Sequence, residues 1–233
     1  MNVLPPVLTP RLQKIADLIT PCSCVADIGT DHAYLPAYLC LAGVCRSAIA
    51  SDIRPGPLER AAATLNRFGL ADRAETRLGG GTAPLAPGEA DAIVMAGMGG
   101  LMIAEIIKSG DSVIRAAGQV ILQPMTAAPE LREYLLSAGY AITGEYLVRE
   151  EEKLYHILTI ASGQGSSPPT PLELYLGKGL MDTRPAYFAE YCLRRRQKLL
   201  KMTAGLARSS DPAAQAKLAE SQRLLEEMDA LGL

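Results

Sequence analysis

Val25-Ala26-Asp27-Ile28-Gly29-Thr30-Asp31-His32-Ala33-Tyr34-Leu35-Pro36 is the stretch on which the reading of this chain turns. A short apolar block ends in an acidic residue, a glycine permits a tight turn, and a helix follows. At such a junction the first helical turn points free backbone N–H groups towards a ligand, and glycine lets that ligand approach the main chain. Outward from it, apolar blocks recur at Cys24–Ile28, Ala48–Ser51, Ala92–Ala96 and Val120–Leu122, alternating with helical stretches at Leu35–Ala42, Pro57–Phe68, Leu101–Ser109 and Pro129–Ala138. Continuous apolar blocks between helices predict parallel strands buried on both faces, an α/β fold. Ala74–Leu78 is more polar and suits a sheet edge. Before the first block, Thr9-Pro10 reads as an N-cap with proline at the first helical position. Leu12, Ile15, Ala16 and Ile19 then give one apolar face of a short helix ending near Pro21.

From Tyr140 the rhythm changes. Tyr140–Val148 and Leu154–Ala161 are strand-like, and the polar run Arg149–Lys153 between them predicts a hairpin. Five parallel strands followed by a hairpin suit a Rossmann-like class I methyltransferase sheet better than a dinucleotide dehydrogenase sheet, by analogy of order alone. Gly163–Pro171 (GQGSSPPTP) is a linker by composition, which divides the chain into 1–163 and 164–233. The second part carries no strand signal. Tyr187, Tyr191, Leu199, Met202 and Leu206, then Leu218, Leu225, Met228 and Leu231 after Asp211-Pro212, predict an antiparallel α-helical hairpin.

The 233 residues are 48% apolar and 21% charged, with a net charge of −2, which excludes wholesale disorder. No apolar run approaches the roughly 20 residues of a membrane span, and the N-terminus does not read as a signal peptide, so a cytoplasmic protein without membrane contact is expected. Five cysteines, an odd number without zinc-like spacing, fit reduced thiols and no metal site. The near-neutral total conceals segregation. Arg184–Arg208 holds seven cations (Arg184, Arg194, Arg195, Arg196, Lys198, Lys201, Arg208) against Glu190 alone, whereas 209–233 is acidic. Opposite signs could pair the two helices, but three adjacent arginines favour contact with phosphates.

The first junction also discriminates between cofactors. A G-x-G-x-x-G fingerprint is absent, because Asp31 stands where its second glycine would be, and a carboxylate there repels a pyrophosphate. S-adenosylmethionine has no phosphate and carries a sulfonium and an ammonium, which Asp27 and Asp31 would suit; the plainer alternative is that both cap the next helix. Asp52 ends the second block, 23 positions beyond Gly29, where a carboxylate can accept both ribose hydroxyls of a nucleoside. Ile93-Val94-Met95-Ala96-Gly97-Met98-Gly99-Gly100 runs a buried strand into three glycines, leaving room for a ligand or flat base, or simply for close helix packing.

DIGTDHAYLP, SDIRPGPLERA, RLGGGTAPL, IVMAGMGG, VILQP and EEKLYHIL together closely resemble the bacterial tRNA adenine-22 N1-methyltransferases, over about Pro10 to Ala161. The resemblance implies methyl transfer from S-adenosylmethionine to N1 of adenosine 22 in tRNA. It also implies a helical coiled-coil extension after the Rossmann-type domain, expected here to bind the tRNA. It places Asp27, Gly29 and Thr30 at the methionine end of the cofactor, Asp52 on its ribose and Ile53 beside its adenine. Ala96 and Gly97 complete the pocket, and Gly97 to Gly100, with Met98 and Gly99 between, fall where the target base meets the methyl group. The family usually reads R-L-G-D-G where this chain has Arg77-Leu78-Gly79-Gly80-Gly81, so Gly79 and Gly80 are kept as pocket lining without the expected carboxylate. Adenine N1 has an in-plane lone pair and needs no deprotonation, so positioning dominates the expected mechanism. Asp31 and His32 are candidates to stabilise the cationic product, and Tyr34 to stack on an extruded base. Arg194, Arg195, Arg196, Lys198 and Lys201 are the candidate tRNA contacts, and a monomer is slightly favoured. The rivals are a methyltransferase acting on another nucleic acid or a small molecule, and a non-catalytic cofactor- or RNA-binding module.

Overall fold

The structure is a computed structural model and describes residues 4–163 and 168–233; the middle of the linker, 164–167, lies outside the described residues. The chain divides into two compact units, 1–165 and 166–233.

The first unit opens with α1 (Pro10–Leu18), whose Thr9 hydroxyl accepts from the backbone N–H of Leu12 while Pro10 fills the first position. Then follow β1 (Cys22–Ile28), α2 (Tyr34–Leu41), β2 (Cys45–Asp52), α3 (Pro55–Arg67), β3 (Ala74–Leu78), β4 (Ala92–Gly99), α4 (Gly100–Ser109), α5 (Asp111–Ala116), β5 (Gln119–Thr126), α6 (Ala128–Ser137), β6 (Tyr140–Glu150) and β7 (Lys153–Ser162). The sheet order is β3-β2-β1-β4-β5-β7-β6, with the first five strands parallel and β7 antiparallel to both its neighbours. The polar strand β3 is indeed the edge. Alternation along the central strands splits the core into two layers. Val25, Ala92, Val94 and Ile121 pack with Ile15, Leu35, Leu39 and Leu65 of α1–α3. Ala26, Ile93, Met95 and Leu122 pack with Ile103, Ile107, Ile114 and Leu131 of α4–α6. With both faces covered, these strands can be apolar throughout, which is why they read as blocks.

Two features differ from the sequence expectation. Helix α5 was not anticipated, because its six residues are too few to show periodicity. The Arg149–Lys153 run is mostly strand: Arg149 pairs with Leu154 and Glu150 with Lys153, leaving only Glu151 and Glu152 as the turn, with Glu151 at φ +54°. Opposite charges facing across the ladder make the polar run compatible with a strand.

The outer hairpin buries a charged cluster. Arg132 of α6 donates from Nε to Glu145 Oε1 at 2.8 Å, and His156 Nε2 lies 3.0 Å from the same oxygen. Burial alone would push the Glu145 carboxyl up, but the His156 hydrogen bond and the nearby charges of Arg132 and His156 bring it down to about 2. His156 is thus a structural histidine.

The second unit contains a π-type turn (Glu173–Gly177) running into α7 (Lys178–Thr183), then α8 (Phe188–Leu206) and α9 (Pro212–Ala230). Helices α8 and α9, joined by the short connection 207–211, pack together as an antiparallel pair, with Arg196 in the middle of α8 paired at 2.7 Å to Asp229 near the end of α9. The expected stripe on α9 is rotated: Ser221, Leu224 and Met228 are its buried residues, not Leu225 or Leu231. The turn and α7 were missed because Gly177, Gly179 and nearby prolines obscure any period.

Replacing Glu145 by Ala removes the buried carboxylate that Arg132 and His156 share, so unfolding free energy is expected to fall by about 3–5 kcal/mol in urea titrations at neutral pH. Because the folded pKa lies below the ordinary carboxylate value, the stability Glu145 contributes is full above about pH 4.5 and fades towards pH 2. The variant's deficit relative to the parent chain shrinks over that interval.

Candidate active site

The candidate residues of the first unit gather at the carboxyl ends of the parallel strands, where open α/β sheets bind ligands. Asp27 ends β1 almost fully buried, and burial raises its carboxyl to about 6, against the lowering effects of a Thr30 hydrogen bond and the Arg11 charge. The turn after it is fixed from β2: the backbone N–H groups of Gly29 and Thr30 both donate to Ser51 O, at 2.7 and 2.9 Å. Gly29 sits at φ +78°, and a Cβ there would run into the terminal methyl of Met98. The positive φ is what calls for glycine, since the Met98 methyl ends a flexible side chain that can move aside.

Asp52 ends β2, also buried, and its Oδ1 accepts the Arg54 backbone N–H at 2.8 Å. Ile53 is largely exposed beside it. Its Cδ1 lies 3.2 Å from the place a Cβ on Gly80 would take, so Ile53 and the Gly79–Gly80 turn form one wall of the same cleft. Gly80 is open enough that a side chain there would need only Ile53 to move.

At the end of β4 the pairing with β5 shifts register between Ala96 and Met98 and again before Gly99, so Gly97 is looped out at φ +79°. Its N–H is taken by Gln123 Oε1 at 3.1 Å. Gly97 is exposed in this bulge. Gly100 is different. It is buried, and a Cβ on it would lie 2.7 Å from Thr126 O and closer still to Ala127 O, so its glycine serves the packing of α4 against the β5–α6 turn.

Asp31 and His32 stand at the rim. Asp31 is ion-paired with Arg60, which holds its carboxyl below the usual range, and His32 Nε2 lies 3.3 Å from Asp31 Oδ2. The His32 ring stacks on Tyr34 at 5.6 Å between centroids and 22° between planes. Tyr34, Ile53, Leu78, Leu101, Met102 and Met125 are all exposed, and all lie at this one end of the sheet. A crescent of exposed apolar side chains around two buried carboxylates suits a flat, partly charged ligand.

Sequence reading missed Arg11 and Gln123. Arg11 Nη1 donates to Gln123 Oε1 at 2.8 Å, and Gln123 is completely buried. A glutamine inside an apolar strand next to Pro124 was the available signal. It also missed the left-handed backbone of Ala33 (φ +51°) and Ala127 (φ +52°), which begin α2 and α6 at this same edge.

The three adjacent arginines of the second unit are spread around the helix, each with a protein partner. Arg194 pairs with Glu190 at 2.6 Å and Arg196 with Asp229 at 2.7 Å. Arg195 lies over the Tyr175 ring at 3.9 Å and donates to Tyr175 O at 3.0 Å. Lys198 and Lys201 are exposed on α8.

Comparison with known proteins agrees with this geometry. A methyltransferase domain family model matches residues 8–158. The tRNA (adenine(22)-N(1))-methyltransferase of Bacillus subtilis (strain 168) is 37% identical over 170 residues, 73% of this chain and 71% of that one. The crystal structure of the B. subtilis enzyme superposes with a TM-score of 0.86 at 32% identity, covering 95% of this chain and 98% of that one. A Streptococcus pneumoniae protein solved in complex with S-adenosyl-L-methionine gives 0.81 at 28% identity, with 94% and 100% covered. The cleft, the strand order and these similarities converge: the chain belongs to the tRNA (adenine-22-N1)-methyltransferase family, with a class I S-adenosylmethionine-dependent methyltransferase domain.

Proposed function

We propose that this protein methylates N1 of adenosine 22 in tRNA, with S-adenosylmethionine as the methyl donor. The observation that carries this reading is the pair of buried carboxylates, Asp27 and Asp52, at the ends of adjacent strands, with glycine turns at Gly29 and Gly97 beside them. The donor set fits the cofactor: one carboxylate for an ammonium, one for vicinal hydroxyls, and no phosphate cradle. Asp27, Gly29 and Thr30 hold the methionine end, Asp52 the ribose, and Ile53, Gly79 and Gly80 the adenine. Ala96 and Gly97 close the floor. When bound, the cofactor supplies an electrophilic methyl group on sulfur, and the in-plane lone pair of adenine N1 accepts it without a base.

The chain's residues therefore orient rather than deprotonate. The looped-out Gly97 and neighbouring Met98 and Gly99 receive the base edge, and the buried Gly100 holds the turn in place. Tyr34, braced by His32, offers a stacking face for a base pulled from its helix, a displacement costing a few kcal/mol. Asp31, kept ionised by Arg60, is a poor proton acceptor but a suitable negative charge for a base that becomes cationic. The protein acts in the cytoplasm. Its domains are 1–163, which carries the chemistry, and 164–233, a helical hairpin of coiled-coil character that holds the tRNA. Within the hairpin Lys198 and Lys201 make the phosphate contacts, Arg194 and Arg196 join by exchanging their carboxylate partners, and Arg195 shapes the surface from Tyr175.

Incubation with labelled S-adenosylmethionine and tRNA transcripts is expected to label a transcript carrying adenosine 22 and not one carrying guanosine there; equal labelling would end the site assignment. Charge removal in the Lys198→Gln/Lys201→Gln variant is expected to lower the slope of log affinity for tRNA against log salt by roughly two, about one per phosphate contact, with cofactor affinity unchanged. Asp27 must be ionised to take an ammonium. With its carboxyl at about 6, cofactor affinity measured by calorimetry should be level above pH 7 and fall about tenfold per unit well below pH 6. Asp27→Asn should be weak and flat across that range.

A further inference from the structure

Cys40 and Cys45 lie at the amino end of the parallel strands, where α2 finishes and β2 begins. The turn between them is closed twice by its own backbone. Val44 N–H donates to Leu39 O at 2.9 Å and Gly43 N–H to Cys40 O at 3.3 Å, with Gly43 in the left-handed region at φ +73°. A third lock comes from Arg73, just before β3. Its Nη2 donates to Cys40 O at 2.8 Å and to Cys45 O at 3.1 Å, so one guanidinium nitrogen ties the two cysteines together. The two sulfurs meet 3.4 Å apart, hydrogen-bonded to each other and buried.

A thiol that serves only as a small apolar filler has no need of a second sulfur at contact distance. Here the turn brings the pair within about 1.4 Å of bonding separation, and its ends are already held. The two thiols are also chemically unequal. The hydrogen bond from Cys45 holds the Cys40 thiol below the ordinary range, with the Arg73 charge acting the same way against burial, and the same contact pushes Cys45 up. Cys40 is therefore the sulfur that attacks and Cys45 the one that resolves. Burial instead raises Cys22, Cys24 and Cys192.

We propose that Cys40 and Cys45 are a redox-active dithiol that closes to a reversible disulfide when it meets hydrogen peroxide. The Cys40 thiolate attacks one peroxide oxygen, the O–O bond breaks, and the departing hydroxide takes up the proton that Cys40 lost on ionising. Cys40 is then a sulfenic acid. The Cys45 sulfur attacks the Cys40 sulfur, the S–O bond breaks, and the leaving hydroxide carries off the Cys45 proton as water. Two thiols are oxidised, one peroxide is reduced, and the products are one disulfide and two waters. Burial of both sulfurs selects a small oxidant over a bulky disulfide. The bond staples the end of α2 to the start of β2, and it spares Cys40 the irreversible sulfinic and sulfonic states.

The test treats the full folded chain with hydrogen peroxide, then denatures and alkylates it. The untreated chain should show five alkylated thiols and the treated chain three, with two hydrogen atoms lost by intact mass. Peptide mapping should join Cys40 to Cys45, and dithiothreitol should return all five thiols. In Cys45→Ser, a Cys40 sulfenic acid should accumulate and be trapped by a cyclic 1,3-diketone, whereas Cys40→Ser should leave Cys45 untrapped. Five alkylated thiols after treatment, a bond joining any other cysteines, or sulfinic acid at Cys40 of the parent chain would each overturn the proposal. All three are read on the parent chain, so the proposal stands or falls even if a serine variant does not fold.

Discussion

A carboxylate buried at the end of β1 is the constraint around which the site is built. Asp27 is almost out of water, and the adjacent turn compensates it only through the Thr30 side-chain hydrogen bond: the backbone N–H groups of Gly29 and Thr30 go to Ser51 O instead. Burial therefore leaves the carboxyl at about 6, and because that value is above the ordinary one, the group costs stability as pH rises through the interval from about 4 to 6. At neutral pH the cost is on the order of 3 kcal/mol, a large fraction of a typical domain's stability. The two-sided core supplies the offset. A cation that reaches Asp27 relieves the cost, so the free energy withheld from folding is returned on binding.

The same trade recurs along the carboxyl edge. At β4 the register shift puts Gly97 outside the ladder, where its N–H would be unpaired if Gln123 did not accept it. Pro124, which has no N–H to offer, is the partner of Met98, so β5 tolerates an irregular neighbour there. Ala33 and Ala127 hold left-handed backbone at the starts of α2 and α6, at about 1 kcal/mol or more each. Left-handed backbone at two helix starts, the β4 bulge and the buried Asp27 and Asp52 carboxylates thus lie together at the carboxyl end of the parallel strands. Uneven placement of local penalties marks where the fold was shaped for something other than stability.

The strands and their order were legible because two-sided burial writes itself as short apolar blocks, and Asp27, Gly29 and Asp52 were legible because a strand-end carboxylate before or after a glycine turn is a local pattern. What escaped was non-local. Arg11 lies 112 positions from Gln123 in the chain and meets it only once α1 packs beside β6. Helix α5 and the helical turn before α8 are too short for any period to show. Gly100 and Gly97 look alike in sequence, yet one is enclosed by backbone and the other is open. Only the bulge, invisible in composition, separates them.

Charge followed the same division. Arg194, Arg195 and Arg196 are adjacent, but successive residues on a helix point about 100° apart, so adjacency scatters them instead of clustering them. One turns to Glu190 on its own helix, one to Tyr175, and one to Asp229 across the hairpin. One acid of α9 serves the packing: Asp229 neutralises Arg196 of α8. Lys198 and Lys201, three apart, share the remaining outer face. Thus the near-zero net charge of the whole chain carries little weight against a nucleic-acid partner, because the acids that balance the sum include those already bound to arginines, and the field a phosphate meets at that face is set by the lysines.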